Sequence, residues 1–202
     1  METDKTTLND LSIFEREEEF SIFHKLNFTR TVGGRERLRA IFNKSCTDII
    51  SIVNVQKTLQ LIMKNEDAWP MLISNGSVLM IHKFYESTVD QIPDRPTVSS
   101  AYFYKIFHAP DFSLLKYSTG HAFEVLKGIQ QILDNFLMAE TPANFRLVLE
   151  KIKVRIDKPQ VHHVLSKKNY KDLSMAEMLG FANFVRYHFK NNFLEIIELY
   201  FQ

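Results

Sequence analysis

The feature that most restricts the fold of this chain is a three-and-four spacing of apolar residues that recurs along most of its length. Such spacing places the apolar side chains on one face of an α-helix. Glycine and proline number only six each, so few tight turns are encoded. No pair of strands is convincing, and the sequence therefore predicts an all-α fold, either an irregular bundle or two packed helical layers. The clearest stretch comprises Ala122, Val125, Leu126, Ile129, Ile132, Leu133 and Phe136.

Capping signals set the expected bounds of the other helices. We predict helices over about 8–24, 34–42, 47–63, 77–91, 141–155 and 174–201, with residues 26–34 as a non-helical connector. Thr47 and Thr141 are the expected N-caps of two of them, and Ser174 with Glu177 forms a capping box. Phe84 and Tyr85 lie on an amphipathic stripe and are interpreted as packing residues.

The last of these helices is the most unusual expectation. At about 1.5 Å per residue it would be roughly 40 Å long, which favours a lever-like spine. It ends without a C-cap glycine, so we expect the chain to be part of a larger protein.

The size and charge of the chain exclude several classes of protein. A length of 202 residues predicts one domain or at most two, and Ile92-Pro93-Asp94-Arg95-Pro96 is the clearest break, dividing 1–92 from 93–202. The net charge of +1 gives no global argument for binding nucleic acid or a membrane surface. A single cysteine and the absence of an apolar stretch of about 18 residues favour a cytoplasmic protein without membrane contact.

Catalytic and metal motifs are absent from the sequence. It contains no phosphate loop, G-x-S-x-G, H-E-x-x-H or EF-hand pattern, so we expect no catalytic residue, metal site or cofactor in this chain. Cys46 has no histidine near it in sequence, and the adjacent His162 and His163 diverge on a helix. The glutamates at 15 and 17–19 also fan out rather than converge. An enzyme that uses Cys46 or the histidine pair is the lowest-ranked alternative.

Two stretches are locally basic. Residues 25–39 carry five basic side chains against Glu36, and residues 151–171 carry seven against Asp157. Either stretch could contact phosphates, and Lys158, Lys167 and Lys168 are the candidate nucleic-acid contacts. The alternative is a solvated helix face or an interdomain surface.

One segment carries a family resemblance. Residues 20–39 read FSIFHKLNFTRTVGGRERLR, and Asn27, Thr29, Thr31, Gly34, Leu38 and Arg39 fall on the positions of the pattern S-L-[FL]-x-x-L-[ND]-x-T-x-T-x-x-G-x-R-x-L-[RK]. This segment resembles the opening of the core, or lever, domain of MutS-family DNA mismatch repair ATPases. Thr47, Asp48 and Ile52 are similar to the L-T-D-x-x-x-I continuation of that family.

The resemblance implies an all-α module whose levers couple the nucleotide state of an ATPase dimer to DNA binding. ATP and Mg²⁺ would be bound by a phosphate-loop domain outside this chain, and DNA and the homodimer partner would be contacted through the full-length protein. Ser45 and Val55 depart from the proline and arginine common in the family, and Met1 lies too close to the core for a mismatch-sensing domain. We therefore expect a divergent MutS-like protein whose lever region is not catalytic. The rival hypothesis is a helical protein–protein scaffold unrelated to DNA.

Overall fold

A computed structural model of the chain describes residues 11–14, 21–43, 48–89 and 91–201. These residues form two compact units, one up to Lys64 that also includes Phe201, and a second from Asn65 to Tyr200. The break at 92–96 lies inside the second unit. The described residues contain ten α-helices and no β-strand, so the expected all-α fold is confirmed. In the same residues, no helix has the length and apolar character needed to span a bilayer.

The first unit contains three α-helices. They are α1 (Ile22–Leu26), α2 (Val32–Asn43) and α3 (Ile49–Lys64). The expected continuous helix over 8–24 is wrong, because residues 11–14 form a turn in which Ser12 has φ 51°, and α1 begins only after the Ser21 N-cap. The Asp48 carboxylate accepts from the Ser51 N–H at 2.8 Å and caps α3. The predicted Thr47 cap lies outside the described residues.

The second unit contains the other seven α-helices. In chain order they are α4 (Asn75–Glu86), α5 (Val98–Phe107), α6 (Ala109–Phe136), α7 (Ala143–Ile156), α8 (Pro159–Leu165), α9 (Met175–Asn183) and α10 (Lys190–Tyr200). Short 3₁₀ helices cover Glu66–Ala68 and Tyr170–Asp172, and Phe184–His188 forms a π-helix.

The core of the second unit is built around α6, the longest described helix at 28 residues. Helices α4, α5, α7, α8 and α9 all contact it. The apolar stripe predicted between residues 122 and 136 is buried as expected, with Ala122, Leu126 and Phe136 fully covered. Fully burying a side chain as large as leucine or phenylalanine stabilises the fold by roughly 1.5–3 kcal/mol, so this stripe is a main source of stability.

The predicted single spine over 174–201 is wrong. The Ser174–Glu177 capping box is present and α9 begins where expected, but Phe184–His188 forms a π-helix and Phe189 adopts φ −123° and ψ 0°. The Tyr85 hydroxyl donates to the Val185 carbonyl at 3.2 Å, which is the oxygen that the N–H of Phe189 would use in a regular α-helix. A side chain that enters the helical hydrogen-bond ladder in this way is a known cause of a helix break.

Other predicted bounds also change. The Thr141 hydroxyl accepts from the Met138 N–H at 3.0 Å and donates to the Phe136 carbonyl, so it closes the turn after α6, while Pro142 occupies the N-cap position of α7. Helix α4 begins after Ser74 and ends at Glu86 rather than near residue 91. Helix α5 was not predicted, although its Thr97 cap was visible in the sequence.

Candidate functional site: the 27–39 connector and the basic surface

The connector between α1 and α2 is held by its own side chains. Asn27 ends α1, and its Oδ1 accepts from the Thr29 hydroxyl at 2.6 Å and from the Thr29 N–H at 3.4 Å. These bonds close an Asx-type turn, in which a short polar side chain replaces a backbone acceptor. The Thr29 hydroxyl therefore bonds to the Asn27 side chain and not to the main chain.

Thr31 caps the N-terminus of α2. Its Oγ1 accepts from the Gly34 N–H at 3.1 Å, which satisfies one of the free amides at the helix start. A Cβ at Gly34 would lie 2.9 Å from that oxygen, so this position favours glycine because of close approach. The predicted non-helical connector over 26–34 is too long, since α2 begins at Val32, and no described glycine has positive φ.

Arg39 joins α2 to α1. Its Cζ lies 5.0 Å from the centre of the Phe23 ring and 5.4 Å from that of Phe14, both within the range of a cation–π contact. The two rings and Phe42 pack on one another, with centres 5.4–6.3 Å apart. Arg39 thus ties the second helix to its neighbour, and half-buried Leu38 precedes it on α2.

The basic surface around 151–171 is partly neutralised. Lys167 Nζ lies 2.9 Å from Glu177 Oε1, and His163 Nε2 lies 2.9 Å from the same oxygen. The ammonium of Lys167, together with the N–H of Ser174, lowers the pKa of Glu177 to about 2. The sequence did not identify Glu177 as the partner of this lysine, because ten residues and two helix ends separate them.

The remaining basic side chains have different surroundings. Lys158 is half-buried at the start of α8, and Lys168 is exposed. Arg155 forms an ion pair with Glu195. His162 Nε2 contacts Asp157 Oδ1 at 2.8 Å, so the two adjacent histidines reach different carboxylates and share no ligand position. Lys158 and Lys168 thus remain better placed for phosphate contact than Lys167.

A second cluster, which the sequence did not reveal, holds the π-helix against α4. The Arg186 guanidinium donates to the Phe84 and Ser87 carbonyls, and its Cζ lies 5.2 Å from the centre of the Phe84 ring. Tyr85 donates to Val185 on the other side. We call these five residues the π joint. About one hundred positions separate its two halves, and no local sequence pattern reports such a contact.

A groove of about 430 Å³ lies beside the π joint in the second unit. Its polar wall is anchored by buried Asn183, whose Nδ2 donates to the Ile92 carbonyl at 2.9 Å. The lining carries the charged side chains of Asp94 and Arg95 and the amide group of Gln160. The lining residues are Asp94, Arg95, Gln160, Gly180, Asn183, Phe184 and His188.

The described part of the chain contains no candidate metal site. Among those residues, no three histidine, cysteine, aspartate or glutamate side chains come together as metal ligands. Cys46 and the glutamates at 15 and 17–19 lie outside the described residues.

The fold and these clusters define an all-α protein with a side-chain-locked connector. No family model, curated protein or solved structure matches the chain.

Proposed function

We propose that this chain is the core or lever region of a MutS-like DNA-binding ATPase. In this proposal it couples nucleotide state to DNA binding in mismatch repair or related DNA metabolism, and it is not catalytic itself. ATP and Mg²⁺ are bound by another part of a cytoplasmic parent protein, which acts as a homodimer. The observation that supports the proposal is that five of the six residues on the family pattern form direct contacts in the connector between α1 and α2 or in the helices that adjoin it.

The connector has the property that a mechanical relay needs. A displacement passes through a helix–helix junction only if the junction does not bend. Here the polar side chains of Asn27, Thr29 and Thr31 bond within the turn, and Arg39 lies on the ring of the preceding helix. Each of these contacts contributes roughly 0.5–1.5 kcal/mol, and together they favour one angle between α1 and α2.

The charges of the basic surface indicate how strongly this chain should bind DNA. Glu177 already neutralises Lys167, so Lys158 and Lys168 are the candidate residues that remain for phosphate contact. Contacts by these two lysines alone correspond to a slope of log K against log salt of about −1 to −2 when the isolated chain binds duplex DNA. The main grip on DNA lies elsewhere in the full-length protein.

The test uses the parent protein with Arg39→Ala and, as a matched control on the same helix, the exposed Arg37→Ala. We expect Arg39→Ala to keep basal ATP turnover and to lose most of its stimulation by DNA, while Arg37→Ala keeps both. Circular dichroism confirms that both variants are folded. Full stimulation in Arg39→Ala would contradict the proposal. So would ATP hydrolysis by this chain alone, or a reading frame that continues past Gln202 without a phosphate-loop motif.

One observation favours the rival function, a protein–protein scaffold. The outward face of α5 carries the exposed side chains of Tyr102, Phe103, Ile106 and Phe107, and the rings of Phe103 and Phe107 stack with centres 6.3 Å apart. Exposed aromatic groups of this kind are typical of protein interfaces. A titration of duplex and branched DNA at two salt concentrations separates the two functions, because a scaffold shows no salt-dependent affinity.

A further inference from the structure

Most apolar side chains of helix α3 are exposed. The helix has no buried residue, and Ile49, Ile50 and Met63 are 79%, 74% and 72% exposed. Its partly covered residues are Ser51, Asn54, Thr58, Leu61 and Ile62. An ordinary surface helix covers its apolar stripe and exposes its polar face. Among the described residues, α3 instead leaves most of its apolar side chains uncovered.

The exposed apolar area on one side of α3 is modest. Six apolar residues on that side are between 37% and 79% exposed, while the exposed Ile50 lies outside it. A standard protein interface covers about 800 Å² of each partner, so a contact made through this side alone is small and the resulting dimer is weak. The six residues are Ile49, Ile52, Val53, Val55, Leu59 and Met63.

The exposed face follows a heptad repeat. Ile49, Ile52, Gln56, Leu59 and Met63 are separated by three, four, three and four positions, which are the a and d positions of a two-stranded coiled coil. The flanking e and g positions carry a single charged side chain, Asp48, so like charges do not oppose one another across the seam. Such a neutral seam is complementary to itself.

We propose that this face of α3 binds the same face of a second copy of the chain, as a short parallel coiled coil about a two-fold axis. This inference rests on the surface of α3 and does not depend on the ATPase proposal. The homodimer implied by the family resemblance concerns the full-length protein and assigns no surface in this chain.

Gln56 selects the parallel orientation. In a parallel, in-register pair each a position faces its own copy, so the two Gln56 amides can hydrogen-bond to each other. In an antiparallel pair a positions face d positions, and Gln56 would be buried against isoleucine or leucine without a partner. A single polar residue at an a position is a known determinant of coiled-coil register.

The experiment is sedimentation velocity on the full chain from about 1 to about 500 µM, a range that brackets weak dimers. We expect a concentration-dependent shift from monomer to dimer. Leu59→Lys, on the seam, should weaken dimerisation at least about tenfold because each substitution acts twice in a symmetric pair. Ile50→Lys adds the same charge at a more exposed residue outside the seam and should change it less than about twofold. Circular dichroism shows whether helix content is kept.

A disulfide experiment tests the orientation. In a Cys46→Ser background, Met63→Cys should cross-link to itself under mild oxidation, because position 63 faces its own copy only in the parallel pair. An Ile49→Cys chain that cross-links to a Leu59→Cys chain instead would overturn the parallel arrangement. A monomer at every concentration would overturn the proposal, as would equal weakening by Leu59→Lys and Ile50→Lys. If the chain is monomeric and a cysteine at 59 resists labelling, another segment of the same chain covers this face.

Discussion

Replacing Arg186 with alanine removes the group that connects the π-helix to the end of α4. Its guanidinium donates to the carbonyls of Phe84 and Ser87 and lies over the Phe84 ring, 5.2 Å from its centre. The side chain is partly covered, and Phe84 is fully buried. Alanine therefore leaves two carbonyl groups at a helix end without their charged donor.

The expected loss can be worked from these contacts. A hydrogen bond to a charged group contributes about 1.5–3 kcal/mol, and a cation–π contact about 0.5–1 kcal/mol at a partly exposed site. Taking the low end of each range for the two hydrogen bonds and the cation–π contact, because water can reach part of this site, Arg186→Ala should lower the free energy of unfolding by about 3.5 kcal/mol. For a domain of this size that corresponds to a fall in Tm of roughly 10 °C.

Urea unfolding followed by tryptophan fluorescence measures this loss directly. The chain has a single tryptophan, Trp69, which lies in the second unit with its ring centre 5.5 Å from that of Phe136, so its signal reports the unfolding of the unit that contains the π joint. The control is Arg155→Ala, which removes an exposed ion pair with Glu195 and should cost less than about 1 kcal/mol.

A double-mutant cycle with Tyr85→Phe sharpens the test. Burial raises the pKa of Tyr85, so its hydroxyl remains a donor to Val185 at physiological pH. We expect a coupling energy between Tyr85 and Arg186 of about 0.5–1 kcal/mol, because both hold the same π-helix. A loss below about 1 kcal/mol for Arg186→Ala, or additive effects in the cycle, would refute the reasoning that the two side chains act as one joint.

Three further substitutions in the second unit, one of them with a control on the same helix, test individual contacts by the same unfolding assay. Ser118→Ala should stabilise the chain by about 1 kcal/mol, because the buried Ser118 hydroxyl has no hydrogen-bond partner among the described residues; a loss of stability would point to a partner for that hydroxyl. Gly128→Ala should lower the free energy of unfolding by about 1–3 kcal/mol, since the new Cβ would lie 2.8 Å from Ile73. Gly120→Ala on the same helix meets only ordinary contacts and should raise the free energy of unfolding by up to about 1 kcal/mol. Glu177→Gln should destabilise the chain above pH 4.5, the ordinary pKa of a glutamate. The difference in stability between the variant and the original chain should disappear as the pH falls toward about 2, where the native carboxyl takes up its proton. A difference that does not depend on pH would contradict this prediction.

The sequence predicts those parts of the fold that depend on local signals. The stripe from Ala122 to Phe136 and the Ser174 capping box both occur as expected, because helical spacing and capping act within a few residues. The Thr31 cap of α2 also depends on a contact only three residues away, although the sequence predicted that this helix begins near residue 34.

The features that the sequence did not predict depend on distant residues or on competition for one group. The π-helix at 184–188 was not predicted because Arg186 and Val185 bond to residues about one hundred positions earlier in the chain. The Thr141 hydroxyl could either cap α7 or close the turn after α6. Helix propensity alone does not show which of these two contacts forms. In the basic surface, the sequence shows that Lys167 is charged, but it does not show that Lys167 contacts Glu177.

The break at the π joint changes how a lever in this chain would have to work. A single helix resists bending because its backbone hydrogen bonds run without interruption, whereas α9 and α10 are separate rods. Two rods transmit a displacement only if the angle between them is fixed by something outside the backbone. Arg186 and Tyr85 supply that constraint by binding the π-helix to the end of α4. The stiffness of such a lever would therefore reside in side-chain contacts, and Arg186→Lys, which keeps the charge but cannot donate to both carbonyls with the same planar geometry, should loosen it without unfolding the chain.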